Sequence, residues 1–195
     1  MSAVQDVTPP SVRGEAVATE ELVVLLDRDG GPCGTARKSE VHQARTPYHL
    51  AFSCYVFDAE DRLLVTRRSA AKRTWPRVWT NSCCGHPAPG EAVPDAVHRR
   101  LGAELGLTAR DLVLALPDFS YRASLDGVEE HELCPVFLAR VDAEPAPDPD
   151  EVGEVAWTPW PEFVRRARRW DSDLSPWARL QVELLGPHVR RYLAG

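Results

Sequence analysis

A cysteine set between asparagine, glycine and histidine is unusual material for a protein core, and the segment Trp79-Thr-Asn-Ser-Cys-Cys-Gly-His-Pro87 contains one. Its glycine and proline bound a loop, expected at the head of a helix. Helix N-termini stabilise thiolates and anions, which would suit Cys84 to chemistry. The same segment reads as well as a tight turn with two buried thiols. A second constellation is His42, His49, His86, Glu130 and Glu132. Glu130 and Glu132 are two residues apart, so in a strand they share a face. Imidazoles and carboxylates together can complete a divalent-metal site. The histidines form no local motif, and a single histidine is more often a surface or satisfied core residue than a ligand.

A third pattern begins at Gly85. Gly85, Glu91, Arg99, Leu101, Glu104, Gly106 and Leu107 follow the Nudix signature: G, five residues, E, seven residues, then R-E-U-x-E-E-x-G-U with U aliphatic. Arg100 and Ala103 stand where that signature has glutamates. In Nudix hydrolases the glutamates hold magnesium for attack on a diphosphate, so their loss removes metal-binding charge. An arginine there adds charge for binding the diphosphate instead. Such a scaffold would hold a diphosphate and be poorly equipped to hydrolyse it.

The elements that must position these groups are legible from periodicity and turn residues. Strands are expected at Glu21–Asp27, His49–Phe57, Arg62–Thr66, Leu112–Leu116, Phe119–Ala123, Leu133–Val141 and Val155–Trp157. Asp58 to Asp61 makes a hairpin turn, and Asp29-Gly-Gly-Pro32 another. Pro94–Leu105 has helical spacing, with proline suited to its first turn and Gly106 to its stop. Two C-terminal helices are expected at Pro161–Trp170 and Pro176–Leu193. Strands dominate the middle and helices are inserted and appended, which predicts an α+β domain, a mixed sheet flanked by helices. Residues 1–18 read as a mobile tail and 19–195 as one catalytic domain.

Composition narrows the function. The chain has 195 residues, 44% apolar and 27% charged, enough for one domain with a full core. A net charge of −6 disfavours bulk attraction to nucleic acid or an anionic membrane and leaves room for a small anionic substrate. No apolar run reaches the roughly 18 residues of a membrane span, and a signal-peptide pattern is lacking. Five cysteines without a secretion signal read as reduced thiols in a cytoplasm, with Cys33, Cys54 and Cys134 as small buried apolar residues. Trp157, Trp160 and Trp170 are expected to pack, His98 and His188 to lie at the surface, and Arg165–Arg169 to form a solvated helix face.

Together these residues resemble the type 1 isopentenyl diphosphate isomerases, a family of Nudix fold. The resemblance is carried by Lys38 and His42, His49-Leu-Ala-Phe52, Leu64-Val-Thr-Arg-Arg68, Trp75-Pro76 and Trp79-Thr-Asn-Ser with Cys84-Gly-His-Pro87. It continues through Pro117-Asp-Phe119, Tyr121-Arg-Ala123, Glu130, Glu132, Cys134-Pro-Val-Phe137 and Ser175-Pro-Trp177, in order from about residue 21 to 180. It implies isomerisation to dimethylallyl diphosphate, with Cys84 and Glu132 as proton-handling groups, Tyr121 beside the glutamate and Trp177 over the hydrocarbon. It implies His42, His49, His86, Glu130 and Glu132 as ligands of a manganese, zinc or magnesium ion, and Glu104 as holding magnesium on the diphosphate. Lys38, Arg68, Lys72 and Arg100 would bind the diphosphate. The expected partner is that small molecule alone, acted on by a monomer or weak homodimer. Cys83 and His131 depart from the family form; Cys83 is expected to pack and His131 to point away from the metal set. The direction of proton transfer between Cys84 and Glu132 stays open. A Nudix hydrolase and a non-catalytic diphosphate-binding module are the competing readings.

Overall fold

The computed structural model describes residues 21–195, so the expected N-terminal tail lies outside the described residues. The first hairpin is β1 (Leu22–Leu26) with β2 (Pro32–Arg37), followed by a single helical turn, α1 (Lys38–Val41). β3 (His49–Leu50), β4 (Phe52–Phe57), β5 (Arg62–Arg68), β6 (Trp79–Thr80) and β7 (Cys83–Gly85) lead to the helix α2 (Val93–Leu105). Then come β8 (Arg110–Leu116), β9 (Ser120–Leu125), β10 (Val128–Leu133), β11 (Val136–Arg140) and β12 (Val152–Pro159). The chain ends in α3 (Trp160–Ala167) and α4 (Pro176–Leu193). This is the expected α+β architecture of mixed sheet and flanking helices.

The strands form two sheets. One has the order β2-β1-β3-β10-β9; the other runs β12-β5-β4-β11-β8, with β6 paired to β5 and β7 to β4. All six residues of β4 are buried, because both of its faces are covered. Phe52, Cys54 and Val56 pack with Leu101 and Leu105 of α2. Tyr55 and Phe57 pack on the other side with Phe163 of α3 and Leu185 and Val189 of α4. Cys54 and Cys134 are buried as expected.

One expected strand is broken by a crossing between the sheets, and another begins late because of one. The run from His49 to Phe57 divides at Ala51: β3 joins the first sheet and β4 the second. The strand expected at Leu133–Val141 starts only at Val136: Val128–Leu133, for which no strand was expected, is β10 of the first sheet, and the chain crosses at Cys134-Pro135 into β11 of the second. Because both segments cross together, Glu132 lies beside His49 in parallel register and Val136 beside Ser53. The hairpin β9–β10 turns on Asp126 and Gly127, with φ of 51° and 79°, the two left-handed residues that a tight hairpin needs.

Three local expectations are overturned. Cys84 does not head a helix: Cys83–Gly85 is a strand paired with Phe52–Cys54, and α2 starts only at Val93. Cys33 is exposed, since β2 is an edge strand. Trp170 is 92% exposed, because α3 ends at Ala167. Of Arg165–Arg169, Arg166, Arg168 and Arg169 pair with Asp173, Glu183 and Asp171, as a solvated face should. Among the described residues no helix is long and apolar enough to cross a membrane.

Candidate active site

A cavity of about 720 Å³ opens where the two sheets meet, and it collects most of the residues singled out in the sequence. Cys84, His42, His86, Tyr121, Glu130, Glu132, Trp177, Lys38, Arg68, Lys72, Arg100 and Glu104 all line it. His49 lies behind this lining, fully buried.

The strand register builds the metal-type cluster. His49 stands beside Glu132, and Glu132 faces Tyr121 across β9–β10. Donor atoms of His42, His49, His86 and Glu132 lie within 4.8 Å of one another. His49 Nε2 is 3.2 Å from His86 Nε2, and one Glu132 oxygen is 3.4 Å and 3.3 Å from the two. The Nδ1–H of His49 donates to the carbonyl of Pro47 at 2.9 Å, which leaves its Nε2 as the lone-pair side. Lone pairs converging on a carboxylate repel unless a proton or cation stands between them. Burial, with His86 adjacent, pushes His42 down to about 3, so it is a neutral donor. Three imidazoles and a carboxylate oxygen fit a divalent cation. His86 Nδ1 is buried without a partner among the described residues. Glu130 stands outside this group: its Oε2 accepts from the Tyr121 hydroxyl at 2.6 Å. His131 lies against Tyr48, outside the group as expected.

Tyr121 ties the two carboxylates together. Its hydroxyl lies 2.6 Å from Glu130 Oε2 and 2.9 Å from Glu132 Oε2, and both glutamates are buried. Burial, reinforced by the charge of Glu132, pushes Glu130 up to about 7. Burial acts on Glu132 in the same sense, but the adjacent His49 and His86 rings outweigh it and hold that carboxyl well below its usual range. Phenol and carboxyls thus form a proton-holding set with one member titrating near neutrality.

Cys84 is held from two sides. Its thiol donates to Asn81 Oδ1 at 3.2 Å, and Ser53 Oγ sits 3.4 Å away. The amide of Gln181 donates to Ser53 at 2.9 Å and its carbonyl accepts from Tyr55 at 2.8 Å, a buried chain running under the sulfur. Burial pushes the thiol up to about 12, so Cys84 carries its proton at neutral pH; this reverses the helix-head expectation of a thiolate. Gly85 leaves no room for a side chain: a Cβ would stand 2.9 Å from Arg100 Cγ and 3.0 Å from the Phe52 ring.

The cations gather at another part of the cavity. Arg68 donates to the carbonyls of Thr74 and Trp75, and its guanidinium lies 5.9 Å from the Trp177 ring. Arg100 and Glu104 are one turn apart on the inner face of α2 and pair with each other. Lys38 pairs with Glu21 at 2.5 Å, Lys72 with Glu151, and Arg100 also with Glu151 at 3.1 Å. Burial pushes Lys72 down to about 8. Ala103, the other departure from the signature, is exposed and does not line the cavity, so Arg100 alone alters its charge. Outside the cavity, Arg99 makes two 2.7 Å hydrogen bonds to Glu91, which accepts from the Ala88 amide and pins the loop before α2.

Sequence reasoning missed Ser53, Gln181 and Glu151. The first two carried a signal: Ser53 is a polar residue inside an apolar strand, and Gln181 lies on the apolar face of α4. Glu151 sits in a loop with no local mark.

Such a fold, with this glutamate–arginine helix along a charged cavity, is that of a Nudix-domain protein, and residues 47–178 match the NUDIX domain family. Among solved structures it resembles DR0079 from Deinococcus radiodurans (TM-score 0.61, 20% identity, 88% of this chain and 98% of that one). It also resembles a MutT protein from Methanosarcina mazei (TM-score 0.57, 20% identity, 76% and 97%). At that identity the likeness speaks for the fold. Sequence relatives are much nearer. The isopentenyl-diphosphate Delta-isomerase of Mycolicibacterium vanbaalenii is 56% identical over 168 residues, 86% of this chain and 92% of its own. That of Frankia alni is 53% identical over 178 residues, 91% and 92%. The chain belongs to the isopentenyl-diphosphate Delta-isomerase family.

Proposed function

We propose that this protein isomerises isopentenyl diphosphate to dimethylallyl diphosphate by adding a proton to the terminal methylene and removing one from the neighbouring carbon chain. The observation that carries this reading is that one cavity holds a half-buried thiol, a phenol-bridged carboxylate pair and an indole, beside a cluster of cations. Family membership agrees with it.

Lys38, Arg68, Lys72 and Arg100 bind the diphosphate, which anchors a small hydrocarbon against Tyr121 and Trp177. Cys84 is one proton-handling group; Glu132, with Tyr121 and Glu130, is the other. A tertiary carbocation formed between the two transfers must be kept from water, which the buried lining of Trp177 and Tyr121 does. An indole face against such a cation contributes about 0.5–2 kcal/mol, a small share of the barrier, so positioning and preorganised charge do most of the work. A manganese, zinc or magnesium ion on His42, His49, His86 and Glu132 would fix Glu132 and bias its protonation, and magnesium on Glu104 would neutralise the diphosphate. Every group comes from one chain, so one copy suffices, and a reduced thiol suits the cytoplasm.

The test is turnover of isopentenyl diphosphate in heavy water. Deuterium should enter the methyl groups of the product, and Cys84→Ala should fold and not turn over. A folded Cys84→Ala with wild-type turnover overturns the role given to the thiol.

A further inference from the structure

Three donors converge on one buried oxygen beneath the cavity. Asn81, with no exposed surface, accepts at Oδ1 from the thiol of Cys84 at 3.2 Å, the indole N–H of Trp177 at 3.0 Å and the hydroxyl of Thr80 at 2.8 Å. Its Nδ2 donates to the main-chain carbonyls of Cys54 and Cys83, both at 2.9 Å. Chemistry fixes the amide's orientation. An indole N–H only donates and a peptide carbonyl only accepts, so a reversed amide would set donor against donor and acceptor against acceptor.

We propose that Asn81 is a positioning residue for the reaction, setting the thiol of Cys84 and the indole of Trp177 in one geometry through a single shared oxygen. The inference rests on the roles given above to Cys84 and Trp177. Asn81 is itself locked to the backbones of β4 and β7, so its oxygen is a fixed point. Its two functional partners come from distant parts of the chain, the strand β7 and the first turn of α4, and both line the cavity. A thiol has one free rotor and an indole two torsions. The Asn81 bond removes the freedom that packing leaves, with Ser53 bounding the sulfur on its other side and Trp75 packed at a tilt of 36° with its centroid 5.2 Å from that of Trp177. Lys38, Lys72 and Arg100 are paired instead with Glu21, Glu151 and Glu104. Binding of the diphosphate is thereby separated from alignment of the reacting groups at three of its four cations, Arg68 alone lying against the Trp177 ring, at 5.9 Å.

The separation gives the test. In Asn81→Ala, kcat should fall by about 100-fold or more, the cost of a misplacement near 1 Å, while KM for isopentenyl diphosphate stays within about threefold. A folded Asn81→Ala with kcat near wild type overturns the proposal, as does a loss carried by KM. A second measurement needs no variant at position 81. In the ¹H–¹⁵N spectrum of the unmodified protein, the Trp177 indole resonance, assigned by its loss in Trp177→Phe, should be shifted downfield and slow to exchange. A rapidly exchanging resonance at the free-indole position overturns the proposal even if Asn81→Ala does not fold. Cys84→Ser is measured alongside. If it keeps wild-type turnover, the underlying reading of the thiol fails and the proposal with it. If Cys84→Ser is inactive and Asn81→Ala is not, the positioning role alone fails.

Discussion

The phenol of Tyr121 is the most exposed joint of the proposed chemistry, and Tyr121→Phe removes only its oxygen. That oxygen lies 2.6 Å from Glu130 Oε2 and 2.9 Å from Glu132 Oε2, in a site where the carboxylates are 5% and 6% exposed. A phenol has one hydrogen, so only one of these contacts can be a donated bond at any moment. A hydrogen bond to a charged group is worth about 1.5–3 kcal/mol, which at 1.36 kcal/mol per decade corresponds to a kcat loss of about 10–150-fold. KM should change little, because the phenol's hydrogen bonds go to the two carboxylates and not to Lys38, Lys72 or Arg100. Formation of dimethylallyl diphosphate, followed over a range of substrate concentrations, separates the two constants. Loss of the donor also leaves two buried carboxylates less well satisfied. A cost of about 1–3 kcal/mol lowers Tm by about 2–12 °C in a chain of this length. A folded Tyr121→Phe with kcat within about twofold of wild type would falsify the idea that the phenol serves proton handling at Glu132.

Gly85→Ala forces a Cβ to within 2.9 Å of Arg100 Cγ, so it should cost about 1–3 kcal/mol and raise KM, read by thermal unfolding and steady-state kinetics. Lys72, pushed by burial down to about 8 from an ordinary 10.5, should make kcat/KM fall as pH rises through about 8 and the ammonium is lost; Lys72→Arg should flatten that limb. The stability effect has the opposite sign: between 8 and 10.5 the unfolded chain binds the proton that the folded one has released, so stability relative to Lys72→Met rises with pH in that window. Chelation should abolish turnover and, if the ion was present at about 100 times its Kd, lower Tm by about 5–11 °C, and His49→Ala should remove that Tm response.

The sequence told most about the site where one segment carries its own chemistry. The Cys84 loop and the α2 pattern of Arg100 and Glu104 are local, and both line the cavity. The expected helix at Pro94–Leu105 begins one residue earlier and ends as foreseen, because Gly106 takes φ 64° at its cap. Harder to see were the points where a strand changes sheets. His49–Phe57 reads as one apolar run, and nothing in its alternation marks Ala51 as a crossing; the switch is set by pairing with β10 on one side and β11 on the other. That same crossing brings His49 to Glu132, so the ligand cluster was legible only through resemblance. Cys84 was mistaken as a helix-head thiolate because Gly and Pro signal a turn, whereas backbone pairing with β4 makes the segment a strand. Cys33 and Trp170 were misplaced for another reason: residue-type averages ignore whether an edge strand or a helix end leaves a side chain uncovered.

The exposure of Ala103 sharpens the argument against diphosphate hydrolysis. Two glutamates of the Nudix signature are missing, but only position 100 faces the cavity. There a guanidinium replaces a carboxylate, a swing of two charges, and the guanidinium bonds to Glu104, the signature carboxylate that remains beside it. With Glu91 spent on Arg99 and the Ala88 amide outside the cavity, Glu104 is the signature glutamate that lines it. A cavity so altered has lost the paired carboxylates that would gather metal charge to activate a water. It has gained a cation for the phosphate oxygens themselves. Restoring the carboxylate by Arg100→Glu should therefore weaken substrate binding without producing efficient hydrolysis, because Cys84, Tyr121 and Glu132 still enclose the hydrocarbon end. Rapid release of phosphate from isopentenyl diphosphate by that variant, with isomerisation lost, would mean that the charge at position 100 alone decides which bond this scaffold breaks.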